Sequence, residues 1–317
     1  MKLISQEELY TSFEAESREE WGDRITQSLG PDIDPSIVEA CIGTRPIHSY
    51  PKWQHQFEIG EYFELSANKS TTIKELNTQI LSALVGGVQH IYLRVLTPLT
   101  VDNLDAIFDQ VKLDYIKTTL IVNENDELTL PTSWNPSNYT LRKDSNHSLS
   151  LNNTLSQEEM ITHCIQVIAL EIQTHTAATQ FNITVKVGDS YLMEIARMRA
   201  LHHTFNLLNS MHDWKYSLNV EAYYDLNALS ESDYQKIANT TRGLAAILGG
   251  ATVIVPFGLE PTDKEEVRIA RNQLHLLRLE SYVDHVADPL AGSHYIEYRT
   301  DSIAKAAWER LSKLQTT

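Results

Sequence analysis

The chain has 317 residues, 42% of them hydrophobic, and a formal net charge of −16 at pH 7. This length suits one large α/β barrel domain or two ordinary domains, and the hydrophobic content is sufficient for a full core. Nucleic acid and anionic membranes are unfavourable partners, because neutralising phosphates requires clustered lysine and arginine. No run of eighteen apolar residues and no apolar signal-peptide core occurs, so neither a transmembrane helix nor a signal peptide is expected.

The two cysteines, Cys41 and Cys164, lie far apart in the sequence. They show neither metal-ligand spacing nor the pattern of a disulfide framework. This cysteine usage is typical of a reducing compartment, so a cytoplasmic location is predicted.

Residues 1–52 are predicted to form an N-terminal arm that precedes the core. The segment is polar and acidic, and Gly30-Pro31 and Asp34-Pro35 interrupt it. Large apolar side chains recur along it: Leu9, Phe13, Trp21, Leu29 and Ile33. Two interpretations stay open. The segment is a surface extension, or it grips a second subunit, because isolated aromatic side chains need a surface to bury against.

A helix, a glycine pair and an apolar strand follow one another twice along the chain. Thr72 and Glu75 form a capping box for a helix that ends at Gly86-Gly87, before a strand at 88–96. Ser230 and Asp233 open the second helix, which ends at Gly249-Gly250 before a strand at 251–257. The predicted buried face of that second helix consists of Tyr234, Ile237, Thr241, Leu244 and Leu248. Each copy is the αβ half of a βαβ unit, with glycine supplying a left-handed helix cap.

Three further units of the same kind lie between these two. Their helices open at Thr100, at the Ser156–Glu159 capping box and at Asp189, whose helix covers 191–208. Their strands are predicted at 115–122, 181–187 and 217–222. Alternation of helices with apolar strands predicts an α/β fold with a parallel sheet.

The C-terminal region adds a helix, a strand and a tight loop. Thr262 and Glu265 form a capping box, and the helix is followed by a strand predicted at 282–287. Asp288 to Ser293 (DPLAGS) cannot continue either element, because proline lacks a donor and glycine favours a turn. A final helix contains 304–311.

Six strands are thus clear, and 148–151 and part of 57–65 can supply two more. Eight alternating units would close a TIM-type (β/α)8 barrel, which is the predicted fold. An open doubly wound sheet is the alternative, although no G-x-G-x-x-G follows the first strand. Residues 123–146 contain Pro131, Pro136 and many Asn, Ser and Thr, and are predicted to be a long loop or a reduced barrel segment.

The C-terminal segments carry a family resemblance. The order A-R-N-x-x-x-x-L, Glu280, strand, D-P-x-A-G-S-x-Y-x-E and an Ala/Trp-containing helix resembles the closing part of the methylmalonyl-CoA mutase barrel. Residues 193–200 (MEIARMRA) resemble that family's F-x-E-I-A-K-x-R-A helix, and 234–250 its Y-N-N-I-V-R-T-T…A-A-V-L-G-G segment. Residues 45–50 resemble the end of the family's N-terminal arm. The resemblance therefore implies that 53–317 are the acyl-CoA-binding barrel.

Several functional positions of that family differ in this chain. The D-x-H-x-x-G motif that supplies a histidine to cobalamin is absent, since Asp284 and His285 are adjacent, and no cobalamin-binding domain is expected. Residues 150–155 stand where the resemblance would place the catalytic histidine. Asn239 stands at the arginine of Y-N-N-I-V-R-T-T, and Val255 at a histidine of the following strand.

The losses resemble the small, non-catalytic (beta) subunit of methylmalonyl-CoA mutase in a shortened form. The resemblance implies a heterodimer with a large catalytic subunit, or a homodimer, with adenosylcobalamin held by the partner. No catalytic, cofactor-binding or metal-binding residue is assigned to this chain, so it is not expected to catalyse the isomerisation alone. The alternative is an independent barrel that binds or converts an acyl-CoA or another small acid.

Several polar residues were weighed as candidates for that alternative. Cations within predicted strands are Arg94, Lys117 and Lys186, and acids near strand ends are Asp189, Glu221 and Asp225. The favoured interpretation of the cations is a solvated position at a strand end. His202 and His203 point about 100° apart on a helix and cannot share a metal, so a surface pair is predicted, as is a surface position for His275. Asp288, Arg271 and Glu297 are predicted to form a buried polar network around the DPLAGS loop.

Overall fold

The computed structural model describes eleven segments of the chain and six isolated N-terminal residues. The segments are 56–66, 72–123, 128–135, 139–143, 159–163, 165–166, 180–212, 215–224, 232–256, 264–285 and 288–315, and the isolated residues are Ser17, Glu19, Glu20, Asp23, Arg24 and Gln27. The predicted arm at 1–52, the capping residues Thr262, Ser156 and Ser230, and the possible strand at 148–151 lie almost entirely outside these residues.

In the part of the chain that the structure describes, seven strands form one sheet. They are β1 (Glu58–Leu65), β2 (His90–Val95), β3 (Lys117–Val122), β4 (Tyr139–Lys143), β5 (Gln180–Val187), β6 (Ser217–Tyr224) and β7 (Val253–Val255). All neighbouring strands are parallel, and the order is β4-β3-β2-β1-β7-β6-β5. Each strand therefore lies beside its neighbour in sequence, apart from β4 and β5, and the last strand pairs with the first.

The sheet curls on itself. β4 and β6 are five positions apart in the strand order, which would separate them by about 24 Å in a flat sheet with strands ~4.8 Å apart. Arg142 of β4 nevertheless contacts Glu221 of β6 through two hydrogen bonds of 2.7 and 2.8 Å. Arginine and glutamate side chains cannot bridge the flat distance, so β4 and β6 must face each other across a concave sheet.

The predicted α/β class and parallel sheet are confirmed, and the curled sheet has the strand connectivity of a barrel. Within the described segments the ring is open between β4 and β5, so closure by an eighth strand is not observed there. The region 57–65 does form a strand, β1.

Residues 159–163 and 165–166, and five of the isolated N-terminal residues, are helical. Besides these, six helices with defined bounds accompany the strands in the described residues. They are α1 (Ile73–Val85), α2 (Val101–Ile107), α3 (Tyr191–Met211), α4 (Ser232–Gly249), α5 (Lys264–Leu279) and α6 (His294–Gln315). Two predicted N-caps are confirmed, because Thr72 and Thr100 each accept a hydrogen bond from the backbone three residues later. The helix predicted to open at Asp189 starts at Tyr191, but Ser190 is its N-cap residue.

The glycine pairs end α1 and α4 as predicted, and the second glycine of each pair has the left-handed conformation. Gly87 has φ 89° and Gly250 has φ 91°. A histidine from the neighbouring helix covers each of these ends. The imidazole Nε2 of His275 in α5 lies 3.0 Å from the Gly86 carbonyl, and that of His202 in α3 lies 3.0 Å from the Gly250 carbonyl. Each ring donates to a carbonyl that the helix leaves unpaired.

Two sequence-based predictions were wrong, and one alternative was decided. Residues 281–285 form a turn rather than a strand, because the backbone N–H of Val283 bonds to the Leu277 carbonyl and so wraps the end of α5. Strand β4 lies within 123–146, which was predicted to be a long loop or a reduced barrel segment, and its parallel pairing with β3 favours the second alternative. In α4, Tyr234 and Ile237 are 54% and 68% exposed. The inward face there carries Arg242 and Asn239, which apolar periodicity does not detect.

Helix α3 is buried nearly all round. One side faces β5 and β6, and α6 packs against another, in a single apolar cluster. Three charged side chains of α3 are therefore buried, and each has an internal partner. Glu194 pairs with Arg197 one turn on, and Arg199, at 0% exposure, pairs with Asp288 and Glu297. In the described helices none is long and apolar enough to cross a membrane.

Replacing Gly87 by alanine is expected to destabilise the protein by at least ~1–2 kcal/mol, because alanine disfavours positive φ. A Cβ atom would also lie 2.6 Å from His275 Cε1. Gly188→Ala is the matched control, since its new Cβ would have its nearest neighbour at 3.5 Å and no positive φ is required. Urea unfolding of both variants measures the difference in their free energies of unfolding. Equal losses would contradict the claim that the left-handed conformation and close contact of Gly87 require glycine.

The protein is expected to lose stability as the pH falls from about 6.5 to 4. Burial lowers the pKa of His202 to about 4, against an ordinary value of 6.5. Between these values the unfolded chain binds a proton that the folded chain does not, which lowers the free energy of unfolding by up to about 3 kcal/mol. His202→Gln keeps a donor for the Gly250 carbonyl without titrating. Urea unfolding from pH 4 to 7 should show a shallower slope for this variant, and an unchanged slope would assign the effect to other groups.

Candidate functional site

The concave face of the sheet is the candidate site. Alternate residues of each strand share this face, and they differ in chemistry from the aliphatic residues behind the sheet. The inward set comprises Tyr62 and Gly60 of β1, His90, Tyr92 and Arg94 of β2, Thr119 and Ile121 of β3, Arg142 of β4, Thr184 and Lys186 of β5, Glu221 and Tyr223 of β6, and Val253 and Val255 of β7. The interior is thus polar and aromatic.

An ion pair lies at the centre of this face. Arg142 Nη1 donates to Glu221 Oε2 at 2.8 Å, and Nη2 donates to Oε1 at 2.7 Å. Thr184 Oγ1 also lies 3.4 Å from Glu221 Oε2. Arg142 is 4% exposed and Glu221 is 1% exposed. Burial opposes the charge of Arg142, but the Glu221 carboxylate outweighs it and raises the pKa of Arg142, so the guanidinium stays charged.

Three tyrosines lie on the same face as the ion pair. Tyr62, Tyr92 and Tyr223 form an apolar cluster with Ile121 and the valines of β7, and the rings of Tyr92 and Tyr223 meet edge to face with centroids 6.1 Å apart. Burial, and then the Glu221 carboxylate, raise the pKa of Tyr92 and of Tyr223 well above the ordinary value of 10. The phenols of Tyr92 and Tyr223 therefore stay protonated and cannot act as general bases.

Gly60 shows how crowded the interior is. A Cβ atom at this position would lie 3.0 Å from the Tyr92 ring and 3.0 Å from Val255. A glycine in a strand weakens a prediction from sequence, but here it lets the facing side chains approach the backbone of β1.

A second polar layer lies at the N-terminal end of the strands. His90 Nε2 is 2.9 Å from Thr119 Oγ1, and His90 Nδ1 is 3.8 Å from Glu58 Oε2. Lys117 Nζ contacts the same carboxylate at 2.6 Å. Burial opposes the ionisation of Glu58, but the nearby His90 and Lys117 outweigh it and lower the pKa of Glu58.

Hydroxyl, imidazole and carboxylate in this order resemble a nucleophilic triad, but the geometry supports a structural role. Thr119 is 2% exposed, so its hydroxyl does not face a space for substrate. The 3.8 Å separation exceeds a hydrogen bond between imidazole and carboxylate, and Lys117 holds the other carboxylate oxygen. The layer joins β1, β2 and β3 side by side.

The three cations weighed from sequence have different environments. Lys117 is largely exposed at the start of β3 and pairs with Glu58, which confirms the solvated position. Arg94 and Lys186 are half-buried near the carboxyl ends of β2 and β5, and they share the inward face with Tyr92 and Thr184. The structure therefore brings neither of them to a purely solvated position.

The structure also shows where most of the histidines and acids weighed from the sequence lie. His202 and His275 were predicted at the surface, which is wrong, because both are half-buried against helix ends. Asp189 accepts a hydrogen bond of 2.6 Å from Arg242, and Glu221 is the buried partner of Arg142. Asp225 lies outside the described residues.

The predicted network around the DPLAGS loop is present in part. Arg199 donates to both oxygens of Asp288 at 3.0 Å and approaches Glu297 at 3.4 Å, and the Gly292 N–H also contacts Glu297. Arg271 is not a member of this network. It pairs with Glu61 of β1 at 2.7 Å and lies against Gly86, because α5 faces α1 there.

The adjacent Asp–His pair of this chain does not fit a cobalamin ligand. Asp284 and His285 lie on the turn after α5, where Asp284 contacts Arg278 and His285 is 66% exposed. His285 is exposed and directly follows Asp284, so it lacks the D-x-H-x-x-G spacing that would direct its imidazole at cobalt. Among the described residues there is also no cluster of three or more His, Cys, Asp or Glu that could bind a metal ion.

The positions singled out by the resemblance have uncharged residues inside the fold. Asn239 is 3% exposed and accepts a hydrogen bond of 2.8 Å from Arg242, and Val255 is 1% exposed on the inward face. Arg242 is a buried cation three residues after Asn239, and it was missed. Residues 150–155 lie outside the described segments.

The central pair and its tyrosines were also missed from sequence. Arg142 lies in a segment rich in turn-forming residues, and its partner is 79 residues away. One signal was available: Tyr62, Tyr92 and Tyr223 each occupy an apolar strand at a position of the same parity as a charged residue. Such alternation indicates a polar aromatic interior.

A curled, parallel seven-stranded sheet with flanking helices defines an α/β protein, and the part of the chain that the structure describes has the form of a half-barrel. The chain belongs to the methylmalonyl-CoA mutase family, because the family model for methylmalonyl-CoA mutase matches residues 145–317, more than half of the chain.

Curated relatives support this assignment over shorter segments. The methylmalonyl-CoA mutase small subunit of Propionibacterium freudenreichii subsp. shermanii is 32% identical over 165 residues, 47% of this chain and 25% of the relative. The small subunit of Porphyromonas gingivalis is 29% identical over 143 residues, 42% of this chain and 23% of the relative. The mitochondrial mutase of Bos taurus is 33% identical over 141 residues, 41% and 19% respectively. The matches span about a quarter or less of these relatives.

Breaking the central ion pair is expected to be costly. Arg142→Met leaves a buried, unpaired carboxylate and should lower the free energy of unfolding by ~3–5 kcal/mol, whereas Arg142→Met with Glu221→Leu should recover much of that loss. Arg268→Met is the control, because its pair with Glu265 is more than half exposed and should contribute less than ~1 kcal/mol. Urea unfolding of both single variants and of the double variant completes the double-mutant cycle. If the loss in the double variant equals the sum of the two single losses, the two residues are not directly coupled.

Proposed function

We propose that this chain is a small, non-catalytic subunit of a cobalamin-dependent methylmalonyl-CoA mutase, which interconverts methylmalonyl-CoA and succinyl-CoA. The observation that carries the proposal is the filled interior. Where a catalytic barrel needs room for an acyl group, the described part of this one holds a buried arginine–glutamate pair and three packed tyrosines. The arginine and the glutamate bond to each other, so both charges are committed within the chain.

The proposal includes a division of labour between two chains. The partner is a large catalytic subunit that carries D-x-H-x-x-G and adenosylcobalamin, and this chain braces it as a heterodimer in the cytoplasm. Residues 1–52 serve as the contacting arm, and 53–317 form the complete TIM-type barrel, with an eighth strand from the region between β4 and β5. Relatives named as small subunits of the mutase support this reading.

Mixing the chain with a D-x-H-x-x-G-containing mutase chain from the same organism is expected to give a stable one-to-one complex. Size-exclusion chromatography with light scattering measures its mass. A chain lacking 1–52 should not form the complex, because the large apolar side chains of the arm provide the contact. A matched Glu309→Gln variant, changed on the outer helix α6, should still bind. Failure of the intact chain to associate, or isomerase activity of this chain alone with adenosylcobalamin, would overturn the proposal.

A second candidate function is binding of an acyl-CoA or another small acid by this chain itself. Arg94 and Lys186 favour it, since both lie on the inward face near the carboxyl ends of their strands, where ligands bind in barrels of this class. A saturable rise in melting temperature with CoA thioesters, lost in Lys186→Met, would support this function. A melting temperature that does not change with CoA thioesters would rule out this second function.

A further inference from the structure

The contact between Arg142 and Glu221 has the geometry of a ligand complex. A guanidinium that donates two parallel hydrogen bonds to one carboxylate is the arrangement by which proteins recognise free carboxylic acids. Here both groups belong to one chain, and both are nearly inaccessible to solvent.

We propose that the barrel interior contains a carboxylate-binding site built around Arg142, and that the chain's own Glu221 occupies it. The inference concerns ligand binding and holds whether or not the chain acts as a subunit of a mutase.

The surroundings of the carboxylate are those of a built site. Its oxygens contact Arg142 Nη1 and Nη2 and lie within 3.4 Å of Thr184 Oγ1. Burial raises the pKa of Tyr92 and of Tyr223, and their phenols are close enough for the carboxylate to raise both further. An arginine and a threonine thus converge from β4 and β5 on one anion, with two buried phenols nearby. A surface ion pair does not gather this many polar groups.

The anchoring of the occupant explains why it excludes external acids. Glu221 is held by β6 within hydrogen-bond distance, so its effective concentration at Arg142 exceeds that of a dissolved small acid. An external carboxylate would have to displace it and leave Glu221 buried without a counter-charge, which is unfavourable. The intact protein is therefore expected to ignore small carboxylates.

The space left when the Glu221 side chain is removed defines which ligand fits beside Arg142. Glu221→Ala deletes one methylene and the carboxylate beyond Cβ, a fragment with the size and charge of acetate. Formate also fits this space, whereas succinate is larger and carries a second charge that has no partner there. The site is thus specific for a small monocarboxylate.

The experiment measures the melting temperature of the intact protein, of Glu221→Ala and of Glu221→Ala combined with Arg142→Met, in sodium acetate and in sodium chloride of equal ionic strength. A ligand that binds only the folded state raises the melting temperature saturably. We expect acetate to raise that of Glu221→Ala by several degrees more than chloride does. The intact protein and the double variant should respond equally to both salts, because one has its site filled and the other lacks the guanidinium.

Equal responses of Glu221→Ala and the double variant would overturn the proposal, as would a response to succinate as large as that to acetate. If Glu221→Ala does not fold in chloride, the readout is its refolding yield from urea, which also lets acetate enter before the interior closes. Recovery in acetate but not in chloride supports the proposal, and no recovery in either overturns it.

Discussion

The curl of the sheet depends on one interaction that crosses its concave side. Ladder hydrogen bonds join neighbouring strands, and they are equally compatible with an open, gently twisted sheet. Arg142 and Glu221 link strands that are five positions apart, so they select the curled form. The pair has a large desolvation cost, which its two hydrogen bonds and the nearby Thr184 hydroxyl offset. The pair contributes less to net stability than to specifying that β4 and β6 face each other.

The buried ion pair and the tyrosines inside the sheet do not conflict with membership of the methylmalonyl-CoA mutase family, because the outer elements and the interior can change separately. The helices and loops outside the sheet can keep their form while the residues inside it differ. Val255 and Asn239 are each buried and uncharged at positions where the resemblance implies a functional side chain. The inner tyrosines fill the space, and Gly60 yields room to them.

The sequence predicted local structure well and the interior poorly, for a physical reason. Capping by Thr72 and the left-handed Gly87 depend on a few neighbouring residues, so the chain reveals them directly. The partners of Arg142 and His275 are separated from them by 79 and 189 residues, and only the fold brings them together. The prediction of a strand at 282–287 failed for the same reason, since β-branched composition cannot show that the backbone folds back on a helix end.

The position of α6 constrains how the protein can be made. This helix covers the outer side of α3, and the loop before it supplies the counter-charge for Arg199. During synthesis the middle of the chain leaves the ribosome long before residues 288–315, so the apolar surface of α3 is still uncovered and Arg199 still lacks its counter-charges. Strand β1 likewise waits for β7. The native core therefore cannot be completed before residues 288–315 have been made, and an apolar surface exposed until then is of the kind that chaperones shield.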